Sequence, residues 1–548
     1  MVWNVLSPGV PKTQDELRAV LLKNRGLTTK KSQENFLHPV SPLELSLKDV
    51  GLDGSVMKRA VALITEAKEK KWNVIVFGDY DADGICATAV LWETLFEMEI
   101  HALPFIPDRE RHGYGLSIKA ITDLVSEHGK PDLLITVDNG IVAHDAFEHL
   151  KTLGVKTILT DHHQLDVRGA PVADIILHTT ALCGTTTAWM LARALNPKKA
   201  ESLLDLCGIA TIADQVPLLN ANRSFAKFGI EAIRRTTRPG LHMLMDTAGI
   251  KKEDVNTYTI NYGIAPRINA MGRVGDPKDA LRLLCGKNTQ KLQALASAVQ
   301  ETNTLRQDMT FQFIQKAKLQ KNLWITERVI IIEDEAFHEG VIGLIAGKLA
   351  EEFGKPAIAI ARGKTTAKAS ARSIAGVNIT EFLRQVRDDL IDIGGHPMAA
   401  GFSLLAENIA KVKKRLEVLA KEQIGLELLQ KKLDVECELP WDLISEKTVK
   451  SLEEFEPHGA GNVTPLFGVR RGRLIEARRI GKESQHCKLV VQPENDPKQF
   501  LTVLAFGMGE ACERLAKGEL FDLAIQLKLN VWNRRKEVQG VAKDIRMQ

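Results

Sequence analysis

Four short segments concentrate the residue types that do metal and phosphoryl chemistry: GDYDADG (78–84), VDNG (137–140), TDHH (160–163) and ADQVPL (213–218). Each of the first three begins where a run of apolar residues ends. In an open parallel sheet, loops at the carboxyl ends of neighbouring strands converge on one crevice. Asp79, Asp81, Asp83, Asp138, Asp161, His162 and His163 can therefore share a site, with Asp214 added by the fourth segment. Carboxylates crowded in this way repel one another and take up protons unless cations neutralise them. Mixed carboxylate and imidazole donors without a cysteine suit Mn²⁺ better than Ca²⁺ or Zn²⁺. Two such ions bridged by a shared carboxylate would clamp both oxygens of an in-line phosphoryl displacement.

Asp79-x-Asp81-x-Asp83-Gly84 also matches the first half of a calcium-hand loop. The twelfth position, where a bidentate glutamate belongs, is Val90, and the preceding segment reads as strand rather than helix. Acidic turns that merely cap strands on a solvated rim would account for any one segment. They account poorly for four in series.

The elements that must position these residues are legible as apolar runs. WNVIVF (72–77), DLLITV (132–137) and VKTILT (155–160) read as continuous, fully buried strands, with helices at Ser117–His128 and Ala143–Leu153 between them. That order predicts a parallel sheet flanked by helices. From about Asn288 to Lys321 there is neither Gly nor Pro, and Leu292, Leu295, Val299, Thr302, Leu305, Met309 and Phe313 recur at helical spacing. One long helix is expected there, as a strut or packed within a domain. A second α/β block follows, with strands in RVIIIED (328–334) and PAIAIA (356–361) and a helix over Val341–Phe353. After about Gly425, VRRGRLIEARRI (469–480), CKLVVQP (487–493), FLTVLAF (500–506) and LAIQLKLNVW (523–532) read as short strands of a small barrel or sandwich.

At 548 residues, 44% hydrophobic and 26% charged, the chain is too long for one core and has ordinary globular composition. Its formal charge of +4 excludes a blanket of positive charge, so any polyanion site must be a local patch. Seven cysteines, an odd count with no CxxC pair, argue against a disulfide framework or zinc ribbon and fit a reducing cytoplasm. No signal peptide or membrane-spanning run is read.

These motifs, in this order, resemble the DHH phosphoesterase superfamily, named for the Asp161–His162–His163 triplet. LLKNRGLTTKKSQENFLHP (21–39), PDRERHGYG (107–115), PRINAMGR (266–273), HEGVIGLIAGKL (338–349), SARS (370–373), GGHPMAAGFSL (394–404) and PHGAGNVTPLFGVR (457–470) narrow the resemblance to its single-strand-specific exonucleases. The resemblance implies an α/β architecture: a lead-in (1–70), a parallel-sheet DHH domain (71–285), a connecting long helix (286–325) and a smaller α/β DHH-associated domain (326–425). An oligonucleotide-binding (OB-fold) barrel (426–548) follows. It implies 5′→3′ hydrolysis of single-stranded DNA in recombination and repair, using two Mn²⁺ (or Mg²⁺) ions, beside a helicase and a single-strand-binding protein; a cytoplasmic monomer is the simplest expectation. A ligand-poor strand-binding scaffold and a small-substrate phosphodiesterase are the rival expectations.

Carried over by motif, Asp81, Asp83, Asp138, His162 and Asp214 are the implied metal ligands, with Asp138 as bridge. His163 is implied beside them, contacting the scissile phosphate or holding a ligand, while Asp79 and Asp161 orient from behind. Relatives place a histidine ligand four residues before the first ligand aspartate. Here that position is Phe77, so one ion is expected to bind weakly unless Asp79 or water takes its place. Arg109, Tyr114, Arg273, Arg372 and His396 are expected to meet the strand's phosphates and bases. In the barrel, Arg470, Arg471, Arg473, Arg478, Arg479 and Lys482 cluster within thirteen residues, and Trp532, Arg534 and Arg535 extend the patch. Arg471 and Arg473 are the expected contacts, because strand alternation lets only a subset line one groove.

Overall fold

The computed structural model describes residues 1–113, 115–325, 327–532 and 535–547, with backbone alone for Leu323 and Trp532. The chain forms two compact units, Leu43–Asp214 with Phe228–Lys431, and Met1–Pro42 with Gln215–Lys227 and Lys432–Gln548. Tyr114 and Arg534, named above, lie outside the described residues. Among the described residues no helix is long and apolar enough to cross a membrane.

The larger unit contains two sheets. The first comprises β1 (Val74–Phe77), β2 (Ala102–Phe105), β3 (Leu133–Val137), β4 (Lys156–Asp161) and β5 (Ile175–His178), in the order β2-β1-β3-β4-β5, all parallel. β1 and β3 are buried at every position, as their unbroken apolar runs require. The edge strands β2 and β5 lacked so clear a signal, because their burial is only partial. Strand order reverses between β1 and β3, and ligands of such sheets bind outside the carboxyl ends at that point. Helices α1 (Ala82–Glu97), α2 (Gly184–Leu195), α3 (Leu204–Ala213) and α4 (Ala265–Val274) belong to this half.

The predicted long helix is α5 (Thr289–Leu319), started by Asn288, whose side chain accepts from the Lys291 N–H. Its buried face is Leu292, Ala296, Val299, Asn303, Ile314 and Ala317, whereas Leu305 is half exposed. The expected stripe drifts because the helix changes partners along its length. It first packs on α4 and the Pro239–Thr247 and Pro277–Cys285 helices, then enters the core of the second sheet through Ile314 and Ala317. That sheet orders β6 (Ile330–Asp334), β7 (Ala357–Arg362), β8 (Thr366–Arg372), β9 (Asp392–His396) and β10 (Ala399–Leu405) as β9-β10-β8-β7-β6. Ile330 and Ile332 face helix α6 (Ile342–Phe353), while Ile331 faces the Ile379–Arg384 and Ile409–Gln423 helices. Gly394–Gly395–His396, which alone would read as a turn, is the end of edge strand β9.

The smaller unit is built on a closed barrel of β11 (Phe467–Ile480), β12 (His486–Pro493), β13 (Leu501–Ala505), β14 (Leu520–Trp532) and β15 (Arg535–Met547), in the order β11-β12-β13-β15-β14. β11 pairs with β14 through its first half and with β12 through its second, bending at two register shifts. Several of these strands are long rather than short, at 13 or 14 residues. The polar β15 was not read from the sequence. Leu17, Leu21, Leu22, Phe36 and Leu37 from the first 42 residues share the barrel's core. Contrary to the cysteine reading, Cys487 on β12 and Cys512 in the short helix Ala511–Arg514 form a disulfide: the spacing rule sees motifs, not elements folding onto one another.

Arg223 ties this unit together. It is fully buried and donates to the carbonyls of Phe36, Glu454, Phe455, Glu456 and Pro457, with its guanidinium 3.8 Å from the Phe36 ring centre. Methionine at this position would remove all of these donors, leaving Phe455 and Pro457 with Asn462 Nδ2 as donor. Arg223→Met is expected to lower the denaturant midpoint by an amount equivalent to about 3 kcal/mol. An unchanged midpoint would mean the carbonyls find other partners.

Candidate metal centre

Each acidic segment is aimed by the element it joins. After β1 the chain buries Asp79, then starts α1 with Asp81 as cap, its carboxylate accepting from the N–H groups of Asp83 and Gly84 at 2.9 and 3.0 Å. Asp83, in the first turn, accepts from the N–H groups of Gly184 and Thr185 at 2.7 and 2.8 Å. The start of α2 thus fixes a carboxylate that belongs to α1. Asp138 follows β3 in the left-handed region, φ 61°, a sharp turn that redirects its side chain as the chain leaves the sheet. Gly184 permits this turn: a Cβ there would come within 2.1 Å of Asp138 Oδ1. Asp214 caps the carboxyl end of α3.

Asp161 closes β4 and is saturated by protein donors. It accepts from the N–H groups of Ile141, His162 and His163 and from His163 Nδ1 at 2.7 Å. Burial opposes its charge, yet the His163 hydrogen bond and charge hold its carboxyl below the usual range. Its oxygens are thus engaged by Ile141 and by the two histidines that follow it.

Three groups of donor atoms converge within 4.8 Å: Asp83, His162 and Asp214; Asp79, Asp81 and Asp138; and Asp138, His162 and His163. His162 Nε2 lies 3.2 Å from Asp138 Oδ1 and 3.7 Å from oxygens of both Asp83 and Asp214. Asp79 Oδ1, Asp138 Oδ1 and His162 Nε2 are buried without a hydrogen-bond partner. Orphaned buried acceptors are costly unless a cation takes their lone pairs, so this donor set fits divalent metal. Its electrostatics agree. Burial and the Asp81 charge push Asp79 up to about 8, while burial with Asp83 and Asp81 pushes Asp214 up to about 9. Asp81 is raised by burial and Asp83, and Asp138 well above its ordinary value by burial and the surrounding carboxylates. Burial holds the His162 imidazole below its ordinary value, and a neutral ring is the form that coordinates. Burial would also lower His163, but Asp161, Asp214 and Asp79 raise it to about 9.

Phe77 is a core residue stacked on Phe105 at 5.2 Å. An oxygen of Asp79 lies within 4.8 Å of oxygens of Asp81 and Asp138.

A cationic wall adjoins this cluster. Arg109 stacks over Tyr80 at 5.5 Å, and its charge reaches Asp79. Arg273 donates to the Gly340 carbonyl at 3.1 Å, and a Cβ on Gly340 would come within 2.0 Å of the Arg273 carbonyl oxygen. That close approach joins the two sheets' halves. Burial, with Arg109, Arg372 and Arg306, lowers Arg273 to about 10. Arg372, propped by Ser370 Oγ at 2.9 Å, feels Arg109, and His396 feels the charge of His163. Sequence reasoning missed Asn269, which accepts from the Ala82 N–H at 2.7 Å, and buried Asn139 beside Asp138. The first lies inside PRINAMGR and the second inside VDNG, so position within a motif was the available signal.

In the barrel the basic run is partly neutralised. Arg470 pairs with Asp522, Arg471 and Arg473 face Glu494, and Arg479 pairs with Glu513. Arg478 and Lys482 remain exposed.

A parallel sheet whose order reverses beside a buried carboxylate–imidazole cluster, coupled to a second sheet bearing arginines, defines a DHH-type phosphoesterase. Family models agree: the DHH family N-terminal domain matches residues 73–211, the DHHA1 domain 325–422 and the RecJ OB domain 435–544. The single-stranded-DNA-specific exonuclease RecJ of Bacillus subtilis is 32% identical over 99% of this chain and 70% of its own length. That of Thermus thermophilus is 32% identical over 89% and 71%. The crystal structure of Thermus thermophilus RecJ in complex with Mn²⁺ superposes with a TM-score of 0.84 at 29% identity, covering all of this chain and 80% of that one. The chain belongs to the RecJ family.

Gly184→Ala is expected to weaken Mn²⁺ binding about ten- to a hundredfold by titration calorimetry, through displacement of Asp138. Protonation gives a second test. Asp79 and Asp214 keep protons in the folded chain that unfolded carboxyls release at about pH 4. His163 likewise holds its proton to a higher pH when folded. All three contributions are present at low pH and are lost as pH rises toward about 8 to 9. Without divalent cations, Tm should therefore fall across that range, and Mn²⁺ should restore it most at the alkaline end.

Proposed function

We propose that the chain is a metal-dependent exonuclease that removes nucleotides from the 5′ end of single-stranded DNA. The observation that carries this reading is Asp138, which belongs to two of the donor groups and has a buried, unpartnered oxygen beside the arginine wall. Asp83, His162, Asp214 and Asp138 would hold one ion, and Asp79, Asp81 and Asp138 the other. Asp79 thus serves as a ligand rather than an orienter. When bound, a pair of Mn²⁺ or Mg²⁺ ions supplies Lewis-acid polarisation of the phosphate and an acidified water.

The remaining steps belong to the protein. Arg109, Arg273, Arg372 and His396 hold the backbone phosphates, so that the scissile bond lies over the carboxylates. Asp161 fixes His163 through Nδ1, so the proton His163 offers is the one on Nε2. With its pKa raised to about 9, that imidazole is protonated at neutral pH and suited to the developing charge on a phosphate oxygen or the leaving 3′ oxygen. The barrel, with Arg478 and Lys482 exposed, grips the strand without reading its sequence. The linear segments 1–70, 71–285, 286–325, 326–425 and 426–548 are taken as lead-in, catalytic, connecting, associated and strand-binding parts. We assign the protein to recombination and repair in the cytoplasm, as a monomer acting beside a helicase and a single-strand-binding protein.

The rival readings are less favoured. A scaffold that had lost its ligands would not retain seven donor side chains in one place. A small-substrate phosphodiesterase has no need of the barrel that matches the RecJ OB model.

Asp138→Ala should abolish release of nucleotide from a 5′-labelled oligonucleotide under saturating Mn²⁺, while strand affinity stays salt-sensitive and nearly unchanged. Near-normal release by this variant would remove the bridge. Blocking the 5′ end should stop the wild-type reaction, and blocking the 3′ end should not; the reverse pattern would overturn the polarity.

A further inference from the structure

The chain has four tyrosines, and two of them, Tyr258 and Tyr262, are 69% exposed with ring centres 4.8 Å apart and planes tilted by 39°. Large aromatic rings usually bury their faces, and neither residue belongs to a core cluster. The backbone beneath them is firmly held. Asn256 and Thr259 exchange hydrogen bonds at 2.9 and 3.1 Å. A π-helical turn over Ile260–Ile264 then buries both terminal isoleucines, and Gly263 packs so closely on Ile250 that a Cβ would meet it at 2.4 Å. Single π-helical turns recur at functional sites, and here the four-residue spacing brings the rings into contact.

A line of guanidiniums connects this turn to the metal centre. The Gly263 carbonyl accepts from Arg267 Nη1 at 2.6 Å, and Arg267 Nε donates to Gln300 on α5 at 2.8 Å. On the same helix Arg306 forks onto Asn303 at 3.0 and 3.3 Å. Arg306 lies within the field of Arg267, Arg273 within that of Arg306, and Asp81 within reach of Arg273. All of these residues belong to the larger unit. A row of half-buried like charges is unfavourable by itself and complementary to a phosphodiester backbone.

We propose that Tyr258 and Tyr262 form a stacking platform for the bases of single-stranded DNA, at the outer end of an arginine track that begins at the metal centre. The inference rests on the nuclease reading and adds to it a second holding point. Stacking suits such an enzyme because every base offers a π-face, so the platform tolerates any sequence.

The test uses the full chain, with binding of a long fluorescent oligothymidylate followed by anisotropy, so that it does not depend on turnover. The Tyr258→Ala/Tyr262→Ala variant should bind about tenfold more weakly, and Tyr258→Phe/Tyr262→Phe should restore the affinity. On an oligonucleotide of the same length whose sugars lack bases, wild type and the alanine variant should bind alike. Equal affinity of wild type and the alanine variant for the normal strand overturns the platform. So does failure of phenylalanine to rescue, or a gap that persists on the abasic strand. Separately, if the wild-type protein binds the strand but releases no nucleotide, the nuclease reading fails while the platform stands.

Discussion

Buried carboxylates repel one another across a low dielectric, and this repulsion is the constraint around which the larger unit is organised. Asp79, Asp81, Asp83, Asp138 and Asp214 are each separated from bulk water to some degree and crowded against their neighbours, and four of them have raised pKa values for that reason. The fold offsets part of the cost with oriented N–H groups. α1 receives Asp81 as its cap, α2 presents two donors to Asp83, and Ile141, His162 and His163 donate to Asp161. What it leaves unmet, on Asp79, Asp138 and His162, is the set of lone pairs a divalent cation would occupy.

A positive wall drawn from both sheets' halves answers this negative charge. Arg273 reaches the Gly340 carbonyl, and Gly340 has no side chain to hold the two backbones apart. Arg109 and Arg372 come from different sheets, yet each lies in the other's field. The first sheet's half supplies the carboxylates together with Arg109 and Arg273, and the second adds Arg372 and His396; α5, packed on helices of the first half and in the core of the second sheet, holds the two sets of groups together.

In the smaller unit, segments distant in sequence share one core. Leu17 and Phe36 lie with Phe467 and Phe521, and Arg223 collects carbonyls from residues 36 and 454–457. The barrel's basic run also reads differently in three dimensions. Glu494, Asp522 and Glu513 arrive from later segments and neutralise Arg471, Arg470 and Arg479, leaving fewer free cations than the sequence count suggests.

Central strands, the long helix and the acidic loops were legible in the sequence, because continuous apolar runs, a Gly- and Pro-free stretch and aspartates after strands are local patterns with local causes. β2, β5 and β15 were not, since partial burial blurs their hydrophobic signal. The sequence by itself determined which donors are present and that β1, β3 and β4 would end near one another. Only the tertiary structure decided that Asp79 joins Asp81 and Asp138, that Gly184 makes room for the Asp138 turn, and that Phe77 belongs to the core. Such outcomes depend on close approach between elements far apart along the chain. Spacing within a motif carries no record of that distance.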